Sequence, residues 1–317
     1  MRGAEVTGIS RDGDSQVVET TMGPIKTKFI INAAAHHAEK IARMVGPIDW
    51  ESVSDQLMVF ILDEAAASEL VTGNNYLALP AKPGYMQSLV PTLEGNLFCN
   101  VTRIPQVKNI YDTSVTREQY QLGLSLAKEI IPAISEKDII RAFCGTASRH
   151  TRELEDHIVE PHAANPRFIT VKLRPPGFAA TPAIAKYLVP QLLGDAGLEL
   201  TTKPDFNPYR KGIPRFHDLT DEERNKLIAR DHKYGHVICR CKKVTEGEMV
   251  EAIRRGARTV QDIKFMTRAG LGRCQAGFCR PRVIQILARE LDIPVTKVLE
   301  REAPALLYES KELLKTT

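Results

Sequence analysis

Four of the six cysteines fall between residues 239 and 279, in CRCKKVTEGEMVEAIRRGARTVQDIKFMTRAGLGRCQAGFC. They form a C-x-C pair, Cys239 and Cys241, and a C-x4-C pair, Cys274 and Cys279, with 32 residues between the pairs. Four thiolates brought to one small site are the donor set of an iron–sulfur cluster. A structural zinc site also takes four cysteines, usually in C-x2-C pairs, which this spacing fits poorly. Disulfides need an oxidising compartment, and the opening MRGAEVTGISRDGDSQ is too polar for a signal peptide. The expected metal ligands are therefore Cys239, Cys241, Cys274 and Cys279, around a [2Fe–2S] cluster ahead of zinc.

The elements that must position these sulfurs are short helices. Thr245 with Glu248 and Thr259 with Asp262 read as capping boxes. Met249, Val250 and Ile253 give the first helix an apolar face, and Ile263 and Met266 the second, with Gly270 as its C′ stop. Pro281 opens a third helix over VIQILAREL. Both cysteine pairs lie near helix N-termini, where free N–H groups favour an anion. From Val237 to Arg282 eleven Lys/Arg face four Asp/Glu, a net of +7 in a chain whose total is +4. A [2Fe–2S] centre with four thiolates is an anion of about −2 to −3, and nearby cations hold it. Arg240, Lys242, Lys243, Arg273 and Arg280 are the sequence neighbours of the ligands.

The segment resembles the bacterioferritin-associated ferredoxin-like [2Fe–2S] domain. Its RAGLGRCQAGFC is similar to the version at the C-terminus of FAD-dependent oxidoreductases of the glycerol-3-phosphate dehydrogenase-like group. Other blocks nearer the N-terminus resemble the same family. FIINAAA is similar to its VINAAG strand and turn, with Ala35 in place of the last glycine. LVPTLEGNLFCN resembles its PT-x-x-GN strand pair, and RPPGFAATPAIA its SPG-x-T-A-x-PAIA helix start. The resemblance implies a flavin ring lying against Asn32, Ala33, Ala34, Ala35 and Gly177, Phe178, Ala179, Ala180, Thr181. FCGTASR stands where the family has FAGLR, whose arginine meets the substrate, so Arg149 falls two residues late.

At 317 residues, 43% apolar and 26% charged, the chain is expected to form two or three globular domains. The expected fold class is α+β: a partial FAD-binding α/β domain plus an antiparallel substrate sheet, with a small all-α [2Fe–2S]-binding domain at the C-terminus. The expected divisions are 1–47 with 142–200 (flavin part), 48–141 (substrate part), 201–236 (linker) and 237–317 (cluster domain). Cys99 and Cys144 read as buried small hydrophobes, and His36, His37 and His150 as surface or packing histidines. No catalytic residue is singled out.

No run is long and apolar enough to span a membrane, and the basic residues lack interleaved aromatics, which argues against nucleic acid. Cysteine usage points to a reducing cytoplasm. No G-x-G-x-x-G follows a strand, so the resemblance implies an adenine-side FAD half that these residues lack, supplied by a partner or absent. The function implied is an FAD-dependent dehydrogenase, glycerol-3-phosphate dehydrogenase-like. It would pass electrons from a small hydroxy or amino substrate through flavin and cluster to an electron-accepting protein or subunit. The alternative is a non-catalytic [2Fe–2S] electron-transfer or assembly subunit, and a third reading is a zinc-stabilised scaffold.

Overall fold

A computed structural model describes residues 3–71, 77–82, 85–92, 95–104, 107–152, 157–174, 177–201 and 203–306. The chain divides into two compact units, Met1–Phe206 and Asn207–Thr317.

In the first unit, β1 (Val6–Asp12), β2 (Ser15–Thr20) and β3 (Ile25–Thr27) form an antiparallel meander. β4 (Ile30–Asn32) runs into a single 3₁₀ turn and then α1 (Ala38–Arg43). This helix buries Ala38 and Ala42 in a core with Trp50, Ile158 and Phe168. β5 (Ser52–Leu62) comes next, then α2 (Glu64–Leu70), capped by the Asp63 side chain. β6 (Leu77–Lys82), β7 (Tyr85–Pro91), β8 (Leu97–Ile104), α3 (Arg117–Ile130) and β9 (Ile139–His150) complete an antiparallel sheet of order β6-β7-β8-β5-β9. β9 pairs with β5 from Ser52↔His150 to Leu62↔Ile139. Residues 142–150, grouped with the flavin segments on sequence, therefore lie in this sheet.

β10 (Ile158–His162) and β11 (Asn165–Lys172) form a hairpin, and β4 pairs parallel to β11. α4 (Gly177–Tyr187) then widens into a π-helical turn over residues 188–193, which contains Pro190. Proline has no N–H to continue the α-helical ladder, a recognised cause of such a distortion.

α3 shows how the sheet gains its core. Thr116 and Gln119 form a reciprocal capping box, and Leu124 and Ala127 pack on Met58, Phe60 and Val101. Gly123 sits at the closest approach: a Cβ there would lie 2.2 Å from Met58 Cε and 2.8 Å from Val101 Cγ2.

The second unit begins with α5 (Asp221–Arg230), whose capping box is Thr220 with Glu223 as expected. A short antiparallel ladder of β12 (Val237–Cys239) and β13 (Val244–Thr245) adds strand structure to the helical domain expected here. α6 (Glu246–Arg254), α7 (Val260–Thr267) and α8 (Arg280–Leu291) pack Met249, Val250, Ile253, Ile263, Val283, Ile284 and Leu287 into one core. Both expected capping boxes are present. α7 ends at left-handed Arg268 (φ 69°), two residues before Gly270, which is itself left-handed (φ 83°). Thr267 explains the early stop: its hydroxyl donates to Ile263 O and accepts from the Ala269 N–H. The helix expected around LLYESKELL lies almost wholly outside the described residues, as do Pro175 and Pro176.

Gly123→Ala is expected to destabilise the protein by about 1–3 kcal/mol, because overpacking of Met58 and Val101 exceeds the ~1 kcal/mol gain in helix propensity. Urea unfolding of the variant measures the difference, and a more stable variant would show that both side chains move aside freely.

Candidate functional site

Two loops bring the four predicted ligands together in the second unit. Cys239 ends β12, Cys241 sits in the turn to β13, Cys274 lies in the loop after α7, and Cys279 is the residue before α8. A buried brace fixes the first loop. Thr245 and Glu248, 0% and 2% exposed, exchange cap hydrogen bonds, and Glu248 Oε2 accepts from both the Thr245 N–H and hydroxyl at 2.7 Å. Glu246 ties the same helix start to His236 and Arg289. The second loop is closed by Gln275 N–H to Gly272 O and Gly277 N–H to Cys274 O. Lys243, Gln275 and Ala276 are left-handed, with φ of 50°, 46° and 73°. Non-glycine residues enter that region at a cost of order 1–3 kcal/mol, and such residues cluster at ligand sites. Gly272 is required by packing, since a Cβ there would lie 2.3 Å from Cys241 Cβ.

The sulfurs form two pairs. Cys241 Sγ is 3.5 Å from Cys274 Sγ, and the Cys239 and Cys279 thiols share a hydrogen bond. The pairs are within electrostatic reach of each other, since Cys241 feels Cys239 and Cys279 feels Cys274. Four thiols so grouped are a donor set that a [2Fe–2S] cluster can take. The hydrogen bond from Cys279, with help from the N–H groups of Gly270, Lys242 and Cys241, lowers Cys239 to about 6. Cys274 is also lowered: partial burial opposes this, but the Phe278 N–H, the Cys241 thiol and the Ala276 N–H prevail. Donating to Cys239, together with burial, pushes Cys279 up. Amides aimed at sulfur are the donor set that a thiolate-bound anionic cluster requires. The Cys239–Cys279 pair is buried and the Cys241–Cys274 pair faces solvent.

In the first unit, the two expected flavin-facing segments leave the carboxyl ends of neighbouring parallel strands. Asn32 ends β4 and Lys172 ends β11, five residues before Gly177. Crevices at such strand ends are where open α/β sheets bind ligands. Asn32 is a brace: it is 3% exposed, and its amide donates to Ala38 O and accepts from the Ala34 N–H. Ala35 is left-handed (φ 49°), the conformation that glycine adopts without strain. Ala33, Ala35, Phe178, Ala179 and Thr181 are exposed, and Ala34 and Ala180 half-buried. Gly177 is buried, and a Cβ on it would lie 2.6 Å from Leu173 Cβ. Gly177 thus lets α4 start against Leu173, and Ala33–Ala35 leave the turn after β4 without long side chains.

Sequence reasoning missed a polar wall beside the turn. Alternation along β5 and β9 puts Ser52, Ser54, Thr146 and Ser148 on one sheet face. His36, with Ser54 Oγ 2.8 Å from Nδ1 and Thr146 Oγ1 3.3 Å from Nε2, is held there, half-buried as a packing histidine with two hydroxyl partners. Burial, and then the charge of Lys172, lower its pKa. Lys172 is 0% exposed and donates to Ala35 O, Ser52 Oγ and Ser148 Oγ. Burial lowers it to about 8. The repeated hydroxyls of SVSDQ and TASRH carried this signal. His37 meets the Tyr111 hydroxyl at 3.1 Å, and His150 is buried.

The opposite face carries Arg149. Its Nη2 lies 2.8 Å from Asp55 Oδ1, while Arg103 Nε lies 2.7 Å from Asp55 Oδ2. Two guanidiniums share one carboxylate, and the buried Arg149 Nε has no hydrogen-bond partner among the described residues. Cys99 and Cys144 are buried in the sheet core, and burial pushes Cys99 to about 12, far from a nucleophile.

The lowered Lys172 predicts a pH effect. Its folded value, about 8, lies below the ordinary 10.5, so between these values the unfolded chain holds more protons. Its contribution to stability should therefore rise from pH 8 to 10.5, by up to about 1.4 kcal/mol per pH unit. Lys172→Met should remove that rise when ΔG of unfolding is compared with the parent across the window; parallel curves would show that the folded amine titrates as it does in the unfolded chain.

Comparison with known proteins accords with this geometry. Residues 237–289 match the BFD-like [2Fe–2S] binding domain, and residues 1–191 match the FAD dependent oxidoreductase family. A glycerol 3-phosphate dehydrogenase of Caloramator mitchellensis is 34% identical over 300 residues, which cover 93% of this chain and 61% of that protein. This chain therefore spans about three-fifths of that relative's length. The hydrogen cyanide synthase subunit HcnB of Pseudomonas aeruginosa is 39% identical over 85 residues, 26% of this chain and 17% of the relative. The X-ray structure of a glycerol-3-phosphate dehydrogenase from Bacillus halodurans complexed with FAD shares the fold. It has a TM-score of 0.58 at 14% identity, over 93% of this chain and 66% of that one. The chain belongs to the FAD-dependent oxidoreductase family and carries a BFD-like [2Fe–2S]-binding domain.

Proposed function

We propose that this chain is the substrate- and electron-handling part of a glycerol-3-phosphate dehydrogenase-like enzyme. It would pass electrons from a small hydroxy substrate through FAD to a [2Fe–2S] cluster and on to a partner. The observation that carries this reading is the two-plus-two pairing of Cys239 with Cys279 and Cys241 with Cys274, within a chain of the FAD-dependent family. FAD supplies two-electron oxidation of a C–H bond and the cluster supplies single-electron exit.

The chain's own residues do the rest. Asn32–Ala35 and Gly177–Thr181 offer backbone to the flavin ring, with α4 turning its N-terminus towards an anion. His36, neutral at pH 7 by its lowered pKa, and the hydroxyls around it can take up a proton. Arg149 and Arg103 carry more positive charge than Asp55 cancels, which suits an anionic substrate such as a phosphate monoester. In this reading residues 1–47 with 142–200 face the flavin, although β9 completes the substrate sheet of 48–141. Residues 201–236 form the join and 237–317 the cluster domain. The partner is an electron-accepting protein or subunit.

Among the described residues no helix is long and apolar enough to cross a membrane. The unpaired thiols of all six cysteines support a cytoplasmic location.

Protein prepared without oxygen is expected to hold about two irons and two sulfides per chain. Ser at Cys239, Cys241, Cys274 or Cys279 should abolish or strongly perturb the visible spectrum, and Ser at Cys99 or Cys144 should leave it intact. Stoichiometric zinc without sulfide, from iron-replete cells, would sink the cluster reading.

Substrate handling is tested with the chain complemented by the N-terminal FAD half of a related complete enzyme. Glycerol 3-phosphate should bleach the flavin and reduce the cluster, and Arg149→Ala should raise KM at least tenfold, as loss of a charge-assisted hydrogen bond costs about 1.5–3 kcal/mol. Cluster reduction by dithionite with no flavin binding in the complemented protein would favour the alternative, an electron-transfer or assembly subunit.

A further inference from the structure

The cluster reading leaves a question that the surface answers: where electrons leave, and what receives them. Resting on that reading, we propose that the Cys241–Cys274 edge, with Phe278 at its rim, is the docking face for an acidic redox protein or subunit.

The four sulfurs are not equally accessible. Cys239 and Cys279 are 1% and 2% exposed, whereas Cys241 is open to solvent and Cys274 partly so. Tunnelling distance is shortest through the open pair. Phe278 marks the same edge. Its backbone N–H donates to the Cys274 sulfur, which fixes the residue at the rim, yet its side chain is 82% exposed. A phenyl ring left in water contributes nothing to the core of Met249, Ile263 and Leu287, and a desolvated aromatic is the usual anchor of a protein interface.

Charge identifies the partner. Arg240, Lys243 and Arg282 are exposed, one beside Cys241, one two residues beyond it, and one in the first turn of α8. They belong to the stretch that holds eleven Lys/Arg against four Asp/Glu. Such an edge repels basic proteins and draws acidic ones into encounter. The fitting partner presents carboxylates around an apolar recess beside its own one-electron centre. One electron passes from the reduced cluster to that oxidised centre, with no proton or bond change; the cluster becomes one charge less negative and the acceptor one charge more negative.

The test uses the cluster-loaded chain reduced with dithionite, freed of excess reductant and mixed in stopped flow with oxidised cytochrome b5, an acidic haem protein. Basic cytochrome c serves as the opposite-charge control. Iron and sulfide are measured on every variant, so a missing cluster, which defeats the parent reading, is distinguished from a misplaced docking face. The second-order rate with cytochrome b5 should fall about tenfold or more as salt rises, while that with cytochrome c should not fall. Arg240→Glu with Arg282→Glu should cost about tenfold at low salt and flatten the dependence. Arg254→Glu, at the far end of α6, should change little. Phe278→Ala should slow cytochrome b5 at every salt concentration but leave the rate with small, uncharged benzoquinone unchanged. With cluster content intact, parental rates and salt dependence in both the double charge variant and Phe278→Ala would overturn the proposal. A cytochrome c rate that exceeds that of cytochrome b5 and falls with salt would overturn it too.

Discussion

The second unit is organised around hydrogen bonding to sulfur. A cysteine sulfur held as an anion in a protein interior needs donors, and backbone amides are the donors that bring no further charge. The amides of Gly270, Lys242 and Cys241 reach one sulfur and those of Ala276 and Phe278 another, all from short loops. Those loops hold Lys243, Gln275 and Ala276 left-handed. The strain is tolerated because each loop is anchored at both ends, by the β12–β13 ladder and the Thr245–Glu248 box on one side and by α7 and α8 on the other.

The first unit meets a comparable constraint with backbone alone. Two parallel strands end together; alanines follow β4, and a buried glycine opens α4. Lys172 crosses between them to Ala35 O, joining the end of β11 to the turn after β4 by one buried ammonium. Its desolvation is offset by the hydroxyls of Ser52 and Ser148, and those hydroxyls are available only because β5 and β9 pair in that register.

Much of this was legible from residue types. The capping boxes of α6 and α7 and the proline that opens α8 stand in the structure where sequence placed them. These are local signals, in which the chemistry and the partner lie within four residues. What sequence did not reveal was set across the chain. Whether 142–150 joins the sheet depends on a ladder to residues 52–60, far away in sequence. The partners of His36 were hidden because Ser54 and Thr146 are distant in sequence. The end of α7 was misplaced because Thr267 satisfies the last turn before Gly270 is reached.

Beneath the cysteines, Met249, Ile263, Val283, Leu287 and Val298 pack into one core, and the Thr245–Glu248 brace is made between protein groups. Outside that core, Cys241 and Cys274 hold their sulfurs 3.5 Å apart on the solvent side. Two thiols so close are also a redox pair: an oxidant that takes two electrons and two protons from them would join them as a disulfide. A thiol would then have to reopen that bond before either sulfur could bind metal again.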